Sequence, residues 1–234
     1  MQKLIENMEI FAMMYGMNRY DQALRYEIFE KWEYALAKEA ILEAEVIFDI
    51  WSHLGFFAER CRALGSQADI YCFEPIVEIY ETAKKRLNWD ERIRFFPFWI
   101  GITDEKTEFF LNEEKTMQSG KYESFLNRKG KRVPVDLKRL KLQNDWGLEV
   151  DNQKIFVKMD IEGMEYEVLE SWDEKLWNKI SSLVMEVHFL KTWDEARWGK
   201  LRSQLKSLFS SLVEEPSTYD ERVRLAFLCW PTHF

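Results

Sequence analysis

The chain has 234 residues, 47% hydrophobic and 15% aromatic, with nine glycines and ten tryptophans. Average usage of about 7% predicts roughly 16 glycines, so the shortage excludes collagen-like and Gly-rich linker architectures and warns that any Gly-rich nucleotide loop will be thin. A formal net charge of −8 argues against nucleic acid as the main partner, and no run of about 18 apolar residues is present to span a membrane.

Residues 1–44 read as an N-terminal helical extension, and residues 45–234 as one α/β domain. Leu24, Ile28, Trp32, Ala35 and Leu36 recur at three- and four-residue spacing, which makes one apolar stripe. That stripe covers either the domain or a second copy of the chain, so a homo-oligomer through these helices is one expectation. Val46 to Ile50 is a short β-branched run, as in a strand buried on both faces. A helix from Phe56 to Leu64 follows, with Gly65 as C-cap. Ile70 to Phe73 predicts a second strand, and Glu74-Pro75 opens a helix through Leu87. Ile93 to Ile100 predicts a third strand, and Thr107 to Leu111 an extra one.

Residues 112–131 are polar and irregular, the best candidate for a substrate-facing loop. Val133 to Leu137 predicts a short strand and Lys154 to Ile161 a clear one. A helix from Gly163 to Ser171, a strand from Ser182 to His188 and an amphipathic helix from Asp194 to Ser210 come next. Two last strands, 211–215 and 222–230, are joined by a turn at Pro216 to Asp220 and read as an antiparallel hairpin at one edge. Alternation of strands and helices implies parallel βαβ units. Trp32, Trp172 and Trp198 fit helical core or cap positions.

Arg128, Lys129, Lys131 and Arg132, then Lys138, Arg139 and Lys141, form the most basic stretch. It reads as a solvated loop and strand edge, with a local anionic substrate contact as the lesser alternative. Cys61, Cys72 and Cys229 are scattered and make no metal-binding pair. They fit a reduced, cytoplasmic setting, as does a first segment without a secretory pattern.

In an open α/β sheet, ligands bind beyond the C-terminal ends of the strands. The residues there are Asp49 with the loop 51–55, Glu74, the segment 101–104, Asp160 with Glu162, and Glu186 with His188. Carboxylates beside apolar strand ends are costly unless something pairs with them. Glu74 stands where a carboxylate accepts hydrogen bonds from ribose hydroxyls, although a helix N-terminal carboxylate explains the position equally well. Lys158, Asp160 and Glu162 alternate at period two, as do Glu186 and His188. If their strands are neighbours, these groups converge. They then serve as acid–base machinery, hold a hard divalent cation, or form a hydrogen-bonded network closing the sheet end. His233 reads as a bystander.

These residues carry a resemblance. The segment Val46-Ile47-Phe48-Asp49-Ile50-Trp51-Ser52-His53-Leu54-Gly55 resembles the first motif of FkbM-type methyltransferases, D-[IV]-G-A-N-x-G. Phe73-Glu74-Pro75 matches their F-E-P, and Gly101-Ile102-Thr103-Asp104 resembles the segment after the third strand. Lys158-Met159-Asp160-Ile161-Glu162-Gly163-Met164-Glu165 matches K-x-D-[IV]-E-G-x-E, the most specific signature. Met185-Glu186-Val187-His188 fits the E-x-H strand end. The resemblance implies a Rossmann-like class I methyltransferase fold: a mostly parallel seven-stranded sheet, helices on both faces and an antiparallel terminal strand. It implies S-adenosylmethionine as methyl donor and a hydroxyl of a sugar, glycan or other small molecule as acceptor.

By that resemblance, Asp49, Trp51, Ser52, His53 and Gly55 line the methionine and ribose side of the donor. Glu74, with Pro75, holds the ribose, and Thr103 and Asp104 lie near the adenine. Asp160, with Glu162 or His188, orients or deprotonates the acceptor hydroxyl, beside Lys158. No metal ligands are assigned. Three positions depart: the motif's first glycine is Trp51, its alanine Ser52 and its asparagine His53, so that only the last glycine, Gly55, remains. The sequence therefore leaves two functions open, an O-methyltransferase with a remodelled loop, and a non-catalytic binding or scaffold protein of the same fold whose donor site Trp51 has closed.

Overall fold

The computed structural model describes residues 16–31, 34–113, 116, 119–121, 130–140, 150, 154–191, 194–217 and 220–229. Trp32, Arg128, Lys129, Lys141 and His233 lie outside them, as do the first 15 residues of the expected N-terminal helix. In chain order the elements are α1 (Arg19–Tyr26), α2 (Lys38–Glu43), β1 (Val46–Ile50), α3 (Phe56–Leu64), β2 (Asp69–Phe73), α4 (Val77–Arg86), β3 (Ile93–Phe96), β4 (Trp99–Gly101) and β5 (Glu105–Leu111). They continue with β6 (Lys131–Arg139), β7 (Ile155–Met159), α5 (Glu165–Ser171), α6 (Glu174–Trp177), β8 (Ile180–His188), α7 (Asp194–Leu208), β9 (Ser211–Pro216) and β10 (Val223–Cys229).

Seven strands form one sheet in the order β3-β2-β1-β7-β8-β10-β9. β1 pairs in parallel with β2 and β7, and β7 with β8, which is why β1 and β7 are buried along their whole length. Phe48 and Phe156 lie in their centre, fully buried, each such side chain contributing ~1.5–3 kcal/mol. The antiparallel strand is β10, inserted between β8 and β9. The final hairpin therefore threads its second strand inside its first, rather than extending the edge as a plain pair.

Two expectations are corrected. The strand expected over Ile93 to Ile100 is two strands in two sheets. β3 pairs with β2, whereas β4 pairs with β6 in a three-stranded sheet ordered β4-β6-β5. Pro97 stands between them, and its missing N–H ends the first ladder. The N-terminal region is not one helix. Asn18 starts α1 afresh with a capping box: its Oδ1 accepts from the Tyr20 and Asp21 backbone N–H groups, and Asp21 Oδ2 accepts from Asn18 N. A π-helical turn over Glu27–Lys31 and a 3-10 turn over Ala35–Ala37 then lead into α2.

The other elements fall within a few residues of expectation, and Trp172 and Trp198 are buried as expected. Lys131 and Arg132 are exposed on β6 and pair with Glu113 and Glu108, so their side chains are solvated, but β6 is the central strand of its sheet and not an edge. No helix among the described residues is long and apolar enough to cross a membrane.

Candidate active site

The site begins with a strained loop. Trp51 and His53 have φ of 64° and 50°, and Gly55 has 76°, so three of five consecutive residues lie in the left-handed region. Such a conformation costs a non-glycine residue ~1–3 kcal/mol and persists only where neighbours enforce it. Here Ser52 N donates to Phe73 O at 3.0 Å, His53 N to Glu74 Oε2 at 3.0 Å, and Lys158 Nζ to the Trp51 carbonyl at 2.8 Å. The Trp51 indole is 3% exposed, edge-on to Trp99 with centroids 4.1 Å apart and stacked on Phe109 at 6.3 Å. It thus pins the loop to the second sheet. Gly55 is required where it stands: a Cβ there would lie 2.8 Å from Leu87 Cδ1 and 3.0 Å from Phe95 Cζ.

β7 supplies the next groups. Asp49 and Lys158 are register partners on β1 and β7, and Lys158 Nζ lies 3.5 Å from Asp49 Oδ1. Burial pushes the Asp49 carboxyl up to about 6, against the pull of Lys158. Burial also opposes the Lys158 charge, but Asp49, Asp160 and Glu186 outweigh it and raise the ammonium above its ordinary value. Both groups are therefore charged near neutrality.

After β7 the chain turns through Glu162, at φ 51°, and Gly163, at φ 98°. That turn brings Glu162 Oε2 to 3.5 Å from His188 Nε2. Glu165, 1% exposed, gathers the turn and the neighbouring strand. Its Oε1 accepts from Ile161 N, Gly163 N and His188 Nδ1, the last at 2.8 Å. Burial pulls the His188 imidazole down, but the carboxylates of Glu165 and Glu162 outweigh it and hold the ring charged well above its usual value. Burial pushes Glu162 up to about 8, with His188 pulling the other way.

A cavity of about 240 Å³ opens among these groups. Trp51, Ser52 and His53 border it from the loop, and Lys158, Asp160, Glu162, Glu186 and His188 from the strand ends. Tyr20, Leu24 and Ile28 close it from the N-terminal region, and Asp220 from the turn before β10. Tyr34 Oη donates to Glu186 Oε1 at 3.3 Å. The N-terminal apolar stripe thus contributes Leu24 and Ile28 to the wall of the site.

Of the residues singled out in the sequence, Trp51, Ser52, His53, Lys158, Asp160, Glu162 and His188 meet at this cavity. Asp49 lies behind Lys158. Glu74 is fully buried, and its two oxygens accept from His53 N and Ile76 N. Burial pushes its carboxyl up to about 8 despite those two N–H groups. Pro75 is buried beside it, whereas Thr103 and Asp104 are exposed, with Asp104 Oδ1 accepting from Arg139 N at 2.7 Å. Glu165 was legible only as a motif letter. Tyr20 and Tyr34 carried no sequence signal at all.

Several buried polar atoms here lack a hydrogen-bond partner among the described residues: Trp51 Nε1, Ser52 Oγ, His53 Nδ1 and Asp160 Oδ1. Most buried polar atoms are satisfied, so a cluster of orphans along one loop marks a place built for a polar ligand. His53 Nε2 does have a partner, Thr116 Oγ1 at 2.7 Å. Burial, with Lys158 and Arg86 nearby, holds this imidazole neutral with a pKa of about 3.

Residues 49–215 match the Methyltransferase FkbM domain, most of the chain. No curated protein matches in sequence. Among solved structures, the chain is similar to a precorrin-6y C5,15-methyltransferase from Geobacter metallireducens, with TM-score 0.42, 10% identity, and 88% of this chain and 92% of that one covered. It is similar to a ribosomal protein L11 methylase from Lactobacillus delbrueckii, with TM-score 0.41, 13% identity and coverage of 84% and 76%. It is also similar to human N-acetylserotonin methyltransferase in complex with S-adenosylmethionine, with TM-score 0.36, 13% identity and coverage of 96% and 59%. A strand order that reverses at the paired β1 and β7 in the middle of the sheet, the signature turn after β7 and the matched domain lead to one conclusion: the chain belongs to the FkbM family of S-adenosylmethionine-dependent methyltransferases.

Proposed function

We propose that the chain transfers a methyl group to a hydroxyl oxygen of a sugar, glycan or other small-molecule acceptor held in the cavity at the ends of β7 and β8. The carrying observation is the convergence of Asp160, Glu162 and His188 on one cavity, with Glu165 fixing the imidazole.

The residues fit the donor at the loop. The orphaned polar atoms of Trp51, Ser52 and His53 offer hydrogen-bonding capacity to a polar group there. When bound, the donor supplies a methyl group already activated by its sulfonium charge and departs as a neutral thioether. The protein then needs to align the hydroxyl and remove its proton. Lys158 holds the loop at the Trp51 carbonyl and so fixes the floor of the cavity. Glu162 and His188 orient the hydroxyl, and Asp160 at the cavity wall accepts the proton as the oxygen attacks. Leu24 and Ile28 help exclude water from the reacting oxygen.

A second reading rests on Glu74. A carboxylate that is fully buried, with both oxygens engaged by backbone N–H groups, supports a fold that has closed the ribose side and keeps only a binding role. Isothermal titration of the full chain with S-adenosylmethionine and S-adenosylhomocysteine separates the two. Saturable binding, weakened by Glu74→Ala, supports the enzyme. No binding at millimolar ligand, with the chain folded, leaves the non-catalytic reading.

A further inference from the structure

We infer that Asp160, Glu186 and His188 bind one divalent first-row transition cation, an inference that deepens the methyl-transfer reading of the same cavity. One donor atom from each of the three lies within 4.8 Å of those of the other two. Ordinary side-chain adjustment brings all three to an ion held at about 2.1 Å by each. Two carboxylates and one imidazole are the ligand set of such an ion, because the imidazole favours manganese, iron or zinc over calcium.

Observations outside the three ligands point the same way. Glu165, 1% exposed, accepts a hydrogen bond from His188 Nδ1 at 2.8 Å. A carboxylate so placed fixes the ring with Nε2 turned to the other ligands, as it does behind metal-bound histidines. Nε2 itself faces carboxylates, 3.5 Å from Glu162 and 3.9 Å from Glu186. Ser52, only 5% exposed, borders the same cavity with an Oγ that has no hydrogen-bond partner among the described residues, and Asp160 Oδ1 is likewise buried and unmatched. The nearest ammonium, Lys158, is already committed to the Trp51 carbonyl and Asp49. Among the described residues, the carboxylates at this end of the cavity therefore outnumber the cations that face them even with the His188 imidazolium counted, and a divalent ion that displaces its proton restores the balance.

Three protein ligands leave coordination positions open to the cavity. An acceptor hydroxyl placed there is both positioned and acidified by the ion. This gives the hydroxyl, a weak nucleophile at neutral pH, the activation that the side chains alone supply only in part.

The test uses the full chain and Mn²⁺ as probe. Titration calorimetry and the loss of the free-ion electron paramagnetic resonance signal should report one saturable equivalent. Asp160→Asn and His188→Gln should each weaken that binding at least tenfold, and Glu165→Gln by about 10–100-fold through the imidazole it orients. Glu186→Gln, at a less buried position, provides the same reading if the other variants fail to fold. Absence of saturable Mn²⁺ binding to the folded chain overturns the proposal, as does binding that Asp160→Asn and Glu186→Gln leave unchanged. The outcomes stay separable from the methyl-transfer reading. Transfer that persists in chelator, without Mn²⁺ binding, overturns the cation site alone. Tight Mn²⁺ binding in a chain that binds no methyl donor supports the cation site while the transfer reading fails.

Discussion

Lys158 Nζ donates to the carbonyl of Trp51 at 2.8 Å, tying the second-to-last residue of β7 to the first residue beyond β1. The contact explains how a tryptophan persists at a glycine position. The ammonium anchors the carbonyl of a residue that stands at φ 64°, while Trp99 and Phe109 grip the ring.

Trp51→Gly should therefore be a trade. The substitution relieves ~1–3 kcal/mol of backbone strain but forfeits ~3–5 kcal/mol of aromatic packing. We expect a net loss of about 1–3 kcal/mol in urea unfolding, with donor affinity in calorimetry unchanged or improved. A tenfold drop in affinity with unchanged stability would contradict this account.

Gly55→Ala should destabilise more than its size suggests. The added Cβ meets Leu87 Cδ1 at 2.8 Å and Phe95 Cζ at 3.0 Å, and the residue has a φ of 76°. Overpacking and left-handed strain each cost ~1–3 kcal/mol. A melting temperature within a degree of the parent would show that the ring of Phe95 yields freely.

Glu165→Ala should cost about 3–5 kcal/mol, the loss expected when one partner of a buried charged pair is removed. Its Oε1 serves Ile161 N, Gly163 N and His188 Nδ1 together, so the turn after β7 loosens along with the imidazole. Hydrogen exchange should rise at residues 161–165 before it rises in β1. Uniform protection would argue that the turn is held by other means.

His53 makes stability depend on pH with a definite sign. Its folded pKa is about 3 and its ordinary value 6.5, so the unfolded chain takes up the proton first as pH falls. The stabilisation from neutral His53 is complete above 6.5 and drains away as pH drops toward 3. The stability difference between the parent and His53→Gln should shrink across that window. A constant difference from pH 7 to 4 would mean that the ring titrates normally when folded.

Much of the fold was legible because local patterns determined it. Val46 to Ile50 and Ile155 to Met159 are apolar runs whose only polar members, Asp49 and Lys158, answer each other across the ladder. The split at Pro97 was also written locally, but a continuous run of aromatics around it reads as one strand. The composition of the site was less legible. Glu165 and His188 are 23 residues apart, and Tyr34 and Glu186 are 152 apart, so their meeting depends on the folded sheet. The burial of Glu74 came from the same source: its partners are backbone N–H groups, which carry no signature in side-chain identity.

The insertion of β10 between β8 and β9 sets an order of assembly. While the ribosome has yet to release the stretch up to Cys229, β8 is an open edge and β9 has no partner in the main sheet. A long apolar edge of this kind invites pairing with other chains. β10 is thus the strand that joins β9 to the sheet, and nascent chains halted before residue 223 should be more prone to aggregate than the full chain.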